Sequence, residues 1–565
     1  MTNPILAWQG RATSDERRVT SLRATLVTRH SLLVTFFVLL FAAVILRFAW
    51  LSDDAYITFR VVDNAAAGLG LRWNPAERVQ AYTHPLWLFV LLAGRLVTGE
   101  LYYTAIVLSV VLSVAAVALL AFRLRAAPLA IVLGLLVLTL SRAFVDYATS
   151  GLENALSHVL LAAFLVVWFN ASDELGRSDE LRVTSDEFRG AGSRTAIDRH
   201  PPPATRHPLL LSFLAALLAL NRLDALLLVL PALGWALWRQ RTARVLGLVA
   251  LGFVPLVVWT LFSLYYYGFP FPNTAYAKLA TGIAAADLAR QGLAYLLNSM
   301  RWDPLTLTTM ATAVVVAVSR RWAVGLAVAA GIVIYVLYVV SIGGDFMSGR
   351  FLTLPLLAAM TLLLAISGDA ARMAAIQLTP RMAAILAALL LLVAAAGHLP
   401  VLLAGRPTGD AARRDGDIAD ERAYYTPHTG LFAARAAHPW AEQGATLRAE
   451  GAAVVEHGNV GFLGYYAGPA VHIIDRNGLT DPLLARLPVR DPADWRIGHF
   501  RRDVPPGYAD TLRGGQNVIE DANLAAYFDV LTRITRGPLW DTARLREIWR
   551  LNRGTYDHLL PGGAP

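Results

Sequence analysis

Two adjacent carboxylates, Asp53 and Asp54, follow the first long apolar segment of the chain. A charged pair beside lipid is costly, so these side chains should face a water-filled space. A carboxylate in such a place can take a proton from a hydroxyl group that attacks an electrophile. Aspartate is also a frequent helix N-cap, so an acidic cap on a helix that begins at Ala55 explains the pair equally well.

Charged residues occur at the ends of other apolar segments as well. Glu153 begins one such segment, and Arg222 and Asp224 lie in a short polar run between two others. A carboxylate or guanidinium at a segment end can bind a polar ligand at the membrane surface. For Arg222 and Asp224, a local ion pair is at least as good an explanation.

Two further clusters combine polar groups with aromatic residues. Lys278, the one lysine of the chain, follows Asn273 and Tyr276 in a run rich in aromatics, and Asp345 and Arg350 share a glycine-rich run. A lysine ammonium is a compact charge that suits an anionic phosphate. A belt of aromatic side chains at the membrane interface is the alternative for the first run.

The elements that must position these residues are apolar helices. The chain has 565 residues, of which 56% are hydrophobic and 16% charged, and its mean hydropathy is +0.49. Soluble chains carry about 25% charged residues, so the composition excludes a soluble enzyme, a disordered protein and a coiled coil. Several apolar runs approach the length that crosses a bilayer. The sequence therefore predicts a polytopic α-helical membrane protein.

The positive net charge and the absence of cysteine exclude further classes of function. The formal net charge is +9 and there is no cysteine. No disulfide framework, thiolate metal site or thiol catalysis is possible. The positive charge is nearly all arginine beside apolar runs, which is typical of residues that set membrane topology, so we expect no nucleic-acid partner.

Alternation of apolar runs and arginines predicts about 11 transmembrane helices, with the N-terminus inside and the C-terminus outside the cell. The charged clusters then all lie at the outer face. After residue 400 the composition becomes mixed polar, with short strand-like runs, which predicts a separate mixed α/β domain. The predicted parts are a cytoplasmic tail (1–30), a transmembrane catalytic domain (31–400) and an extracytoplasmic soluble domain (401–565). The transmembrane domain includes an outer loop of interfacial helices (52–100) and a disordered cytoplasmic loop (170–208). The soluble domain is a candidate carbohydrate-binding domain.

Charged groups at one end of a helical bundle favour chemistry at the membrane surface. A channel needs polar residues within its spans, and a transporter is expected to show repeated halves with broken helices. The arrangement fits an enzyme that acts on a lipid-linked substrate. A non-enzymatic flippase or export scaffold for lipid-linked sugars is the alternative from another class.

Several motifs resemble those of a known family. The chain is similar to the GT-C membrane glycosyltransferases, and within them to the actinobacterial terminal arabinofuranosyltransferases. The residues that carry the resemblance are DDAYITFR (53–60), NPAERVQAYTHPLW (74–87), TSGLE (149–153), YYGFPFPNTAYAKL (266–279), GGDFMSGRF (343–351), GNVGFLGYY (458–466), NGLTDP (477–482) and RIGHF (496–500). They extend from Asp53 to about Tyr508.

The resemblance implies a donor, an acceptor and roles for the residues. The donor is a polyprenyl-phosphate sugar such as decaprenyl-phosphoryl arabinose, the acceptor is a glycan such as arabinan, and the enzyme lies in the cytoplasmic membrane with its site outside. Asp53, with Asp54 beside it, corresponds to the catalytic carboxylate, and Glu153 to the acid of the second loop. The residues expected at the donor phosphate and sugar are Lys278, Tyr276, Asn273, Arg350, Asp345, Arg222, Asp224 and His84.

The donor sugar and the stereochemistry of transfer each have two alternatives. Transfer of another sugar, such as mannose from its polyprenyl phosphate, is the alternative enzymatic reading. A single base gives inversion at the anomeric carbon, and a nucleophilic carboxylate gives retention; the pair Asp53 and Asp54 permits both. No metal-ligand spacing stands out, so we expect no cofactor and no divalent metal.

Overall fold

The computed structural model describes residues 14–188, 207–279, 281–368 and 417–561. A predicted span at 383–399, the second part of the predicted cytoplasmic loop and the start of the predicted C-terminal domain lie outside these ranges. The region before residue 369 is helical. Its helices are α1 (Ser14–Arg47), α2 (Asp53–Ala66), α3 (Pro85–Thr98), α4 (Tyr102–Arg123), α5 (Pro128–Leu140), α6 (Arg142–Asp146), α7 (Asn154–Phe188), α8 (Pro208–Asn221), α9 (Leu226–Gln240), α10 (Ala243–Gly252), α11 (Val254–Tyr266), α12 (Asn273–Leu279), α13 (Ala285–Trp302), α14 (Pro304–Arg320), α15 (Ala323–Ser341) and α16 (Thr353–Ser367).

The prediction of a helical membrane protein is confirmed. Among the described residues, 4 helices are long and apolar enough to cross a membrane, and the number rises to 6 if each bent pair is one span. Shorter apolar helices of 10–17 residues accompany them. The finer prediction of about 11 spans with a fixed orientation stays a prediction.

Proline explains both bent pairs. Helices α10 and α11 meet at 48°, and α13 and α14 meet at 107°. Pro255 lies in the first turn of α11, and Pro304 is the first residue of α14. Proline has no N–H to continue the preceding helix and its ring clashes with that helix, so a new helix begins there in a new direction.

Helix α7 differs from the sequence prediction. It continues to Phe188, through residues that we expected to be an irregular loop from residue 170. The stretch from 170 to 188 contains a single glycine and no proline, the two residue types that most disfavour a helix interior. Charge and polarity alone therefore misplace the end of this element.

The described part of the C-terminal region, residues 417–561, is mainly helical. It contains α17 (Glu421–Thr429), α18 (Pro439–Ala449), α19 (Phe462–Ala467), α20 (Tyr508–Gly514), α21 (Ala522–Arg536) and α22 (Thr542–Leu551). Strands β1 (Val454–His457) and β2 (His472–Asp475) form a parallel two-stranded sheet in which Val454 is opposite His472. Tyr508, Tyr527 and Leu531 belong to a second hydrophobic cluster, whereas Tyr425 and Phe462 belong to the cluster of the helical bundle.

The C-terminal region is joined to the helical bundle by backbone and charge contacts. Ala419 pairs with Met347 in an isolated parallel bridge, so this segment runs beside the loop before α16. Asp420 accepts a hydrogen bond from Arg142, and Arg422 donates one to Asp146. Both pairs are buried, which fixes the first turn of α17 against α6.

Replacing Asp146 by asparagine tests this junction. The change leaves the buried Arg422 guanidinium without a carboxylate, and removing one partner of a buried pair costs about 3–5 kcal/mol. We expect the midpoint of thermal unfolding in detergent to fall by several degrees. Asp510→Asn is the matched control, because it breaks an exposed pair with Arg513. Such pairs contribute about 0–1 kcal/mol. Equal midpoints for the two variants would contradict the proposed importance of the junction.

Candidate active site

Helix α2 begins at Asp53, and its N-cap is Ser52 rather than either carboxylate. The Ser52 hydroxyl oxygen accepts the backbone N–H of Ala55 at 3.3 Å. Asp53 and Asp54 stand in the first turn, where the positive end of the helix dipole favours negative charge. The interpretation of Asp53 as a mere cap is therefore wrong, since the serine supplies the cap hydrogen bond.

The Asp53 carboxylate is in contact with the C-terminal region. The backbone N–H of Phe462 donates a hydrogen bond to Asp53 Oδ1 at 2.7 Å, although the two residues are 409 positions apart. Gly461 lies against the same group, and a Cβ there would overlap the Asp53 carboxylate and carbonyl. Only glycine allows the chain to approach this closely. The environment of Asp53 is thus completed by residues from the far end of the sequence.

This environment changes the acidity of Asp53. Burial raises the pKa of Asp53 to about 7, and the charge of Asp54 adds to the rise while the Phe462 N–H opposes it. A carboxylate whose pKa lies near the working pH is the most effective proton acceptor, because it is partly ionised and still basic. Asp53 has the properties of a general base.

A cavity of about 880 Å³ opens beside Asp53 and Asp54. This volume is in the range of small-molecule binding sites. We call it the first cavity. Its lining comes from the start of α2, the loop before α16 and the C-terminal region. The lining residues are Asp53, Asp54, Phe346, Asp417, Ala419, Glu421, Tyr424, Tyr425, Trp440, Asn459, Val489, Arg490, Asp491, Asp494, Trp495, Arg496, His499 and Arg501.

Glu153 is at the centre of a buried cationic cluster. Arg350 Nη2 donates to both of its carboxylate oxygens at 3.1 and 3.2 Å, and Arg222 Nη1 lies 3.5 Å from Oε1. Burial raises the pKa of Glu153, but Arg350, His84 and Arg222 outweigh it and lower the pKa to about 2. Glu153 is therefore ionised near neutral pH, and it shares the pairing of the two guanidinium groups with Asp224 and Asp345.

His84 joins the same cluster as a neutral group. Its Nδ1 lies 3.6 Å from Glu153 Oε2, and its Nε2 lies 2.8 Å from the Thr58 hydroxyl. Burial lowers the pKa of His84 to about 4, against the attraction of Glu153. The hydroxyl group of Thr83 lies 3.3 Å from Nδ1, so each nitrogen of the neutral ring has a hydroxyl group as its hydrogen-bond partner.

The structure contains the local ion pair of Arg222 with Asp224, and a role of Arg222 in ligand binding stays a prediction. Its Nε lies 3.0 Å from Asp224 Oδ1, which is the local ion pair, and its Nη1 reaches Glu153 as well. The Tyr335 hydroxyl donates to Asp224 Oδ2 at 2.9 Å. The Arg222 guanidinium also lies 4.4 Å from the centre of the Phe351 ring. Arg222 and Asp224 are thus firmly positioned around Glu153.

Asp345 and Arg350 connect the cationic cluster with the first cavity. Arg350 Nη1 lies 3.8 Å from Asp345 Oδ2. Burial raises the pKa of Asp345, and Arg350 and Lys278 oppose the rise. Gly344 packs directly on Tyr295, where a Cβ would overlap the ring. This close approach holds the loop, and the next residue after Asp345, Phe346, lines the first cavity.

Lys278 is exposed at the end of α12. Burial raises the pKa of Asp54, while Arg350 and then Lys278 oppose that rise. Lys278 also opposes the rise at Asp345. The ammonium group therefore lies within electrostatic range of both carboxylates, at the edge of the site.

The structure places Asn273 and Tyr276 against the C-terminal region rather than along the first cavity. The Asn273 side-chain amide donates to the backbone carbonyls of Gly478, Leu479 and Asp481 at 2.8–3.2 Å. The Tyr276 ring lies 4.7 Å from the Arg486 guanidinium. These contacts explain both residues as parts of the packing between α12 and the C-terminal region.

Sequence reasoning missed Glu421. It lines the first cavity with Asp53 and Asp54, between Asp420 and Arg422, whose ion pairs fix the backbone on both sides. Burial, followed by the charges of Asp54, Asp53 and Asp345, raises the pKa of Glu421 well above its usual value. Three consecutive charged residues at a helix start look like a solvated surface, so the sequence offers no signal for this role.

The described residues contain no group of three or more His, Asp or Glu side chains placed to hold a metal ion. Independence of a divalent metal stays a prediction from the sequence. What the arrangement can do is clear from its charges. The basic carboxylate of Asp53 lines the first cavity, and Arg350 and Lys278 act electrostatically on its neighbour Asp54, which is suited to proton removal next to a developing negative charge.

The apolar helical bundle is consistent with the membrane glycosyltransferases, the class that the sequence motifs indicate. Within that class, the chain is similar to the protein "Terminal beta-(1->2)-arabinofuranosyltransferase" of Mycobacterium tuberculosis. The two are 29% identical over 554 residues, and the match covers 81% of each chain. The resemblance that the motifs predict is confirmed.

A second relative agrees. The protein of the same name from Corynebacterium glutamicum is 30% identical over 376 residues, which cover 58% of this chain and 50% of that protein. No family model matches the chain, and no solved structure matches it. The resemblance supports a glycosyltransferase.

Ionisation of Asp53 can be observed directly. Infrared difference spectra between acidic and alkaline pH detect the C=O stretch of a protonated carboxyl group. We expect one carboxyl signal with a midpoint near the pKa of about 7 to be lost in Asp53→Asn and kept in Asp510→Asn. Identical spectra for wild type and Asp53→Asn would contradict the assignment.

The same pKa predicts a dependence of stability on pH. The pKa of Asp53 in the folded protein, about 7, is above its ordinary value of 3.8, so the folded state binds this proton more tightly. Asp53 therefore lowers the free energy of unfolding progressively as the pH rises from about 4 to 7. Thermal melts should show a weaker pH dependence in Asp53→Asn over that interval.

Proposed function

We propose that this chain transfers an arabinofuranose residue from a polyprenyl-phosphate donor to an arabinan acceptor at the outer face of the cytoplasmic membrane. The observation that carries the proposal is the similarity to a curated terminal arabinofuranosyltransferase over 81% of both chains. The local geometry supports it, because the basic carboxylate of Asp53 lines a cavity and the cations Arg350 and Lys278 act electrostatically on the adjacent Asp54.

In the proposed reaction, Asp53 acts on the acceptor. A hydroxyl group of the acceptor attacks the anomeric carbon of the donor sugar and passes its proton to Asp53. The bond from the anomeric carbon to the phosphate oxygen breaks, and the polyprenyl phosphate leaves with its electron pair. Base catalysis of this kind contributes about 10²–10⁴-fold to the rate.

The cations act on the leaving group. Lys278, exposed at the edge of the site, meets the donor phosphate as a point charge. Arg350 and Arg222 supply further positive charge, which stabilises the departing phosphate. Glu153 serves this half of the site as a positioning residue, since both guanidinium groups bind its carboxylate. This role differs from a direct part in proton transfer, and the low pKa of Glu153 agrees with it.

Two stereochemical routes are compatible with the carboxylates of the first cavity. A single displacement with Asp53 as the base inverts the anomeric centre. A double displacement retains it, with one carboxylate as nucleophile and another as the base. Asp54 and Glu421 line the cavity beside Asp53, so the groups that a second route requires are at hand.

A donor panel tests the function. Purified protein in lipid nanodiscs is given decaprenyl-phosphoryl arabinose or a polyprenyl-phosphate mannose, with a synthetic arabinan oligosaccharide as acceptor. We expect transfer of arabinose, and Asp53→Asn should lower kcat by about 10²-fold or more with little change in the donor KM. Asp510→Asn, an exposed carboxylate, is the control. Transfer of mannose alone, or near-wild-type turnover by folded Asp53→Asn, would overturn the proposal.

The proposed orientation places the C-terminal region outside the cell. The chain lacks cysteine, so single cysteines can be introduced at exposed sites without a background. We expect an impermeant maleimide on intact cells to label Ala470→Cys, which is exposed after α19, and to leave Ser319→Cys unlabelled until the cells are lysed. The reverse pattern would place the site in the cytoplasm.

A further inference from the structure

A second cavity, of about 810 Å³, lies between the helical bundle and the C-terminal region. One side of it is aromatic and centres on Tyr56. Its ring centre lies 4.5 Å from that of Phe462, 5.3 Å from that of Tyr465 and 6.2 Å from that of Tyr466, with which it is stacked. The Tyr466 side chain is 40% exposed, so a flat aromatic surface is open to a ligand.

The lining of the second cavity also contains charged side chains. Arg95 Nε donates to Asp63 Oδ1 at 2.7 Å. The Glu100 carboxylate accepts the backbone N–H groups of Tyr103 and Thr104, both at 2.9 Å. These contacts hold charged groups in fixed positions along the wall, so the cavity offers a prearranged set of hydrogen-bonding groups.

Arg435 at the rim has a strained backbone. Its φ is 52°, the left-handed region, and it lies in a loop rather than at a helix end. The guanidinium group lies 5.0 Å from the centre of the Tyr102 ring and donates to the Tyr103 hydroxyl at 2.9 Å. Such strain in a residue other than glycine occurs often at functional sites, where the surrounding structure maintains it.

The two cavities are neighbours. Tyr56 follows Asp53 by three positions on α2, which corresponds to about 4.5 Å along the helix. Phe462 connects the two cavities. Its backbone N–H binds Asp53 of the first cavity, and the residue itself lines the second. Tyr425 lines the first cavity, and one turn further along the same helix Thr429 lines the second.

The chemistry of the second cavity selects its ligand. Asp63, Glu100 and Glu442 supply negative charge, and Arg95 and Arg435 supply positive charge, so the lining is nearly balanced. Such a balance disfavours an anionic lipid headgroup, and the polar wall disfavours an acyl chain. A sugar chain fits, because sugar rings present apolar C–H faces to aromatic side chains and hydroxyl groups to polar ones.

We propose that the second cavity binds the glycan chain of the acceptor several residues away from the hydroxyl group that reacts at Asp53. This inference rests on the proposed transferase function and adds a binding site to it. A long acceptor occupies both cavities, whereas a disaccharide occupies only the first. The enzyme then prefers long acceptors, and Tyr466 contributes to that preference through its exposed ring.

The test compares acceptor lengths. For wild type, Tyr466→Ala and Tyr466→Phe, kcat/KM is measured with an arabinan disaccharide and with a longer oligosaccharide. We expect the long-to-short ratio to exceed one in wild type, to fall about three- to tenfold in Tyr466→Ala, and to recover in Tyr466→Phe, which keeps the ring. Trp549→Ala removes an aromatic ring that is 65% exposed elsewhere on the surface and should keep the wild-type ratio.

A binding measurement tests this inference independently of the proposed function. An unreactive arabinan oligosaccharide, blocked at its terminal hydroxyl groups, is titrated into the same variants by calorimetry. Weaker binding by Tyr466→Ala than by Trp549→Ala supports the second cavity even if no transfer occurs, and absence of transfer overturns only the proposed function. A wild-type ratio of one, an unchanged ratio in Tyr466→Ala, or displacement of the oligosaccharide by vesicles of anionic lipid would overturn the inference.

Discussion

Two buried ion pairs, Asp420 with Arg142 and Arg422 with Asp146, determine where the C-terminal region meets the helical bundle. Charges that are taken out of water gain little net stability from pairing, but a shifted arrangement would leave them buried and unpaired. The pairs therefore specify a position more than they add stability. Glu421 lies between them, so its direction into the first cavity is fixed by its two neighbours.

The two principal carboxylates of the site have opposite environments. Asp53 is buried beside another carboxylate and one backbone N–H, and its pKa rises to about 7. Glu153 is equally buried but binds two guanidinium groups, and its pKa falls to about 2. Two acidic groups whose environments shift their pKa values in opposite directions commonly have different roles in the same site. Here one carboxylate can exchange a proton and the other holds cations in place.

The sequence predicts the bundle half of the site well. Asp53, Glu153, Arg222 and Arg350 each stand at the end of an apolar segment, and helix ends at one level of a bundle must meet. The ion pairs of Glu153 bring Glu153, Arg222 and Arg350 together. Periodicity cannot reveal a contact with residues hundreds of positions away, so the partner of Asp53, the N–H of Phe462, was not predictable.

Other differences have equally local causes. Asn273 was expected at a phosphate because of its neighbours in sequence, yet its amide satisfies three backbone carbonyls of the C-terminal region. Glu421 was overlooked because a run of charged residues at a helix start usually faces solvent. Hydropathy also does not report a bend inside an apolar run, such as the 48° bend between α10 and α11.

The contact of Gly461 and Phe462 with Asp53 also has a consequence for biosynthesis. Translation produces Asp53, Glu153, Arg222 and Arg350 in the first two thirds of the chain, and the N–H group that binds Asp53 comes much later. A nascent chain shorter than 462 residues has no such donor, and the carboxylate stays accessible to water with an ordinary acidity. The proton acceptor thus acquires its tuned basicity only when the last third of the polypeptide has been synthesised and has docked. A truncated product can insert its helices and still lack the burial that raises the pKa of Asp53.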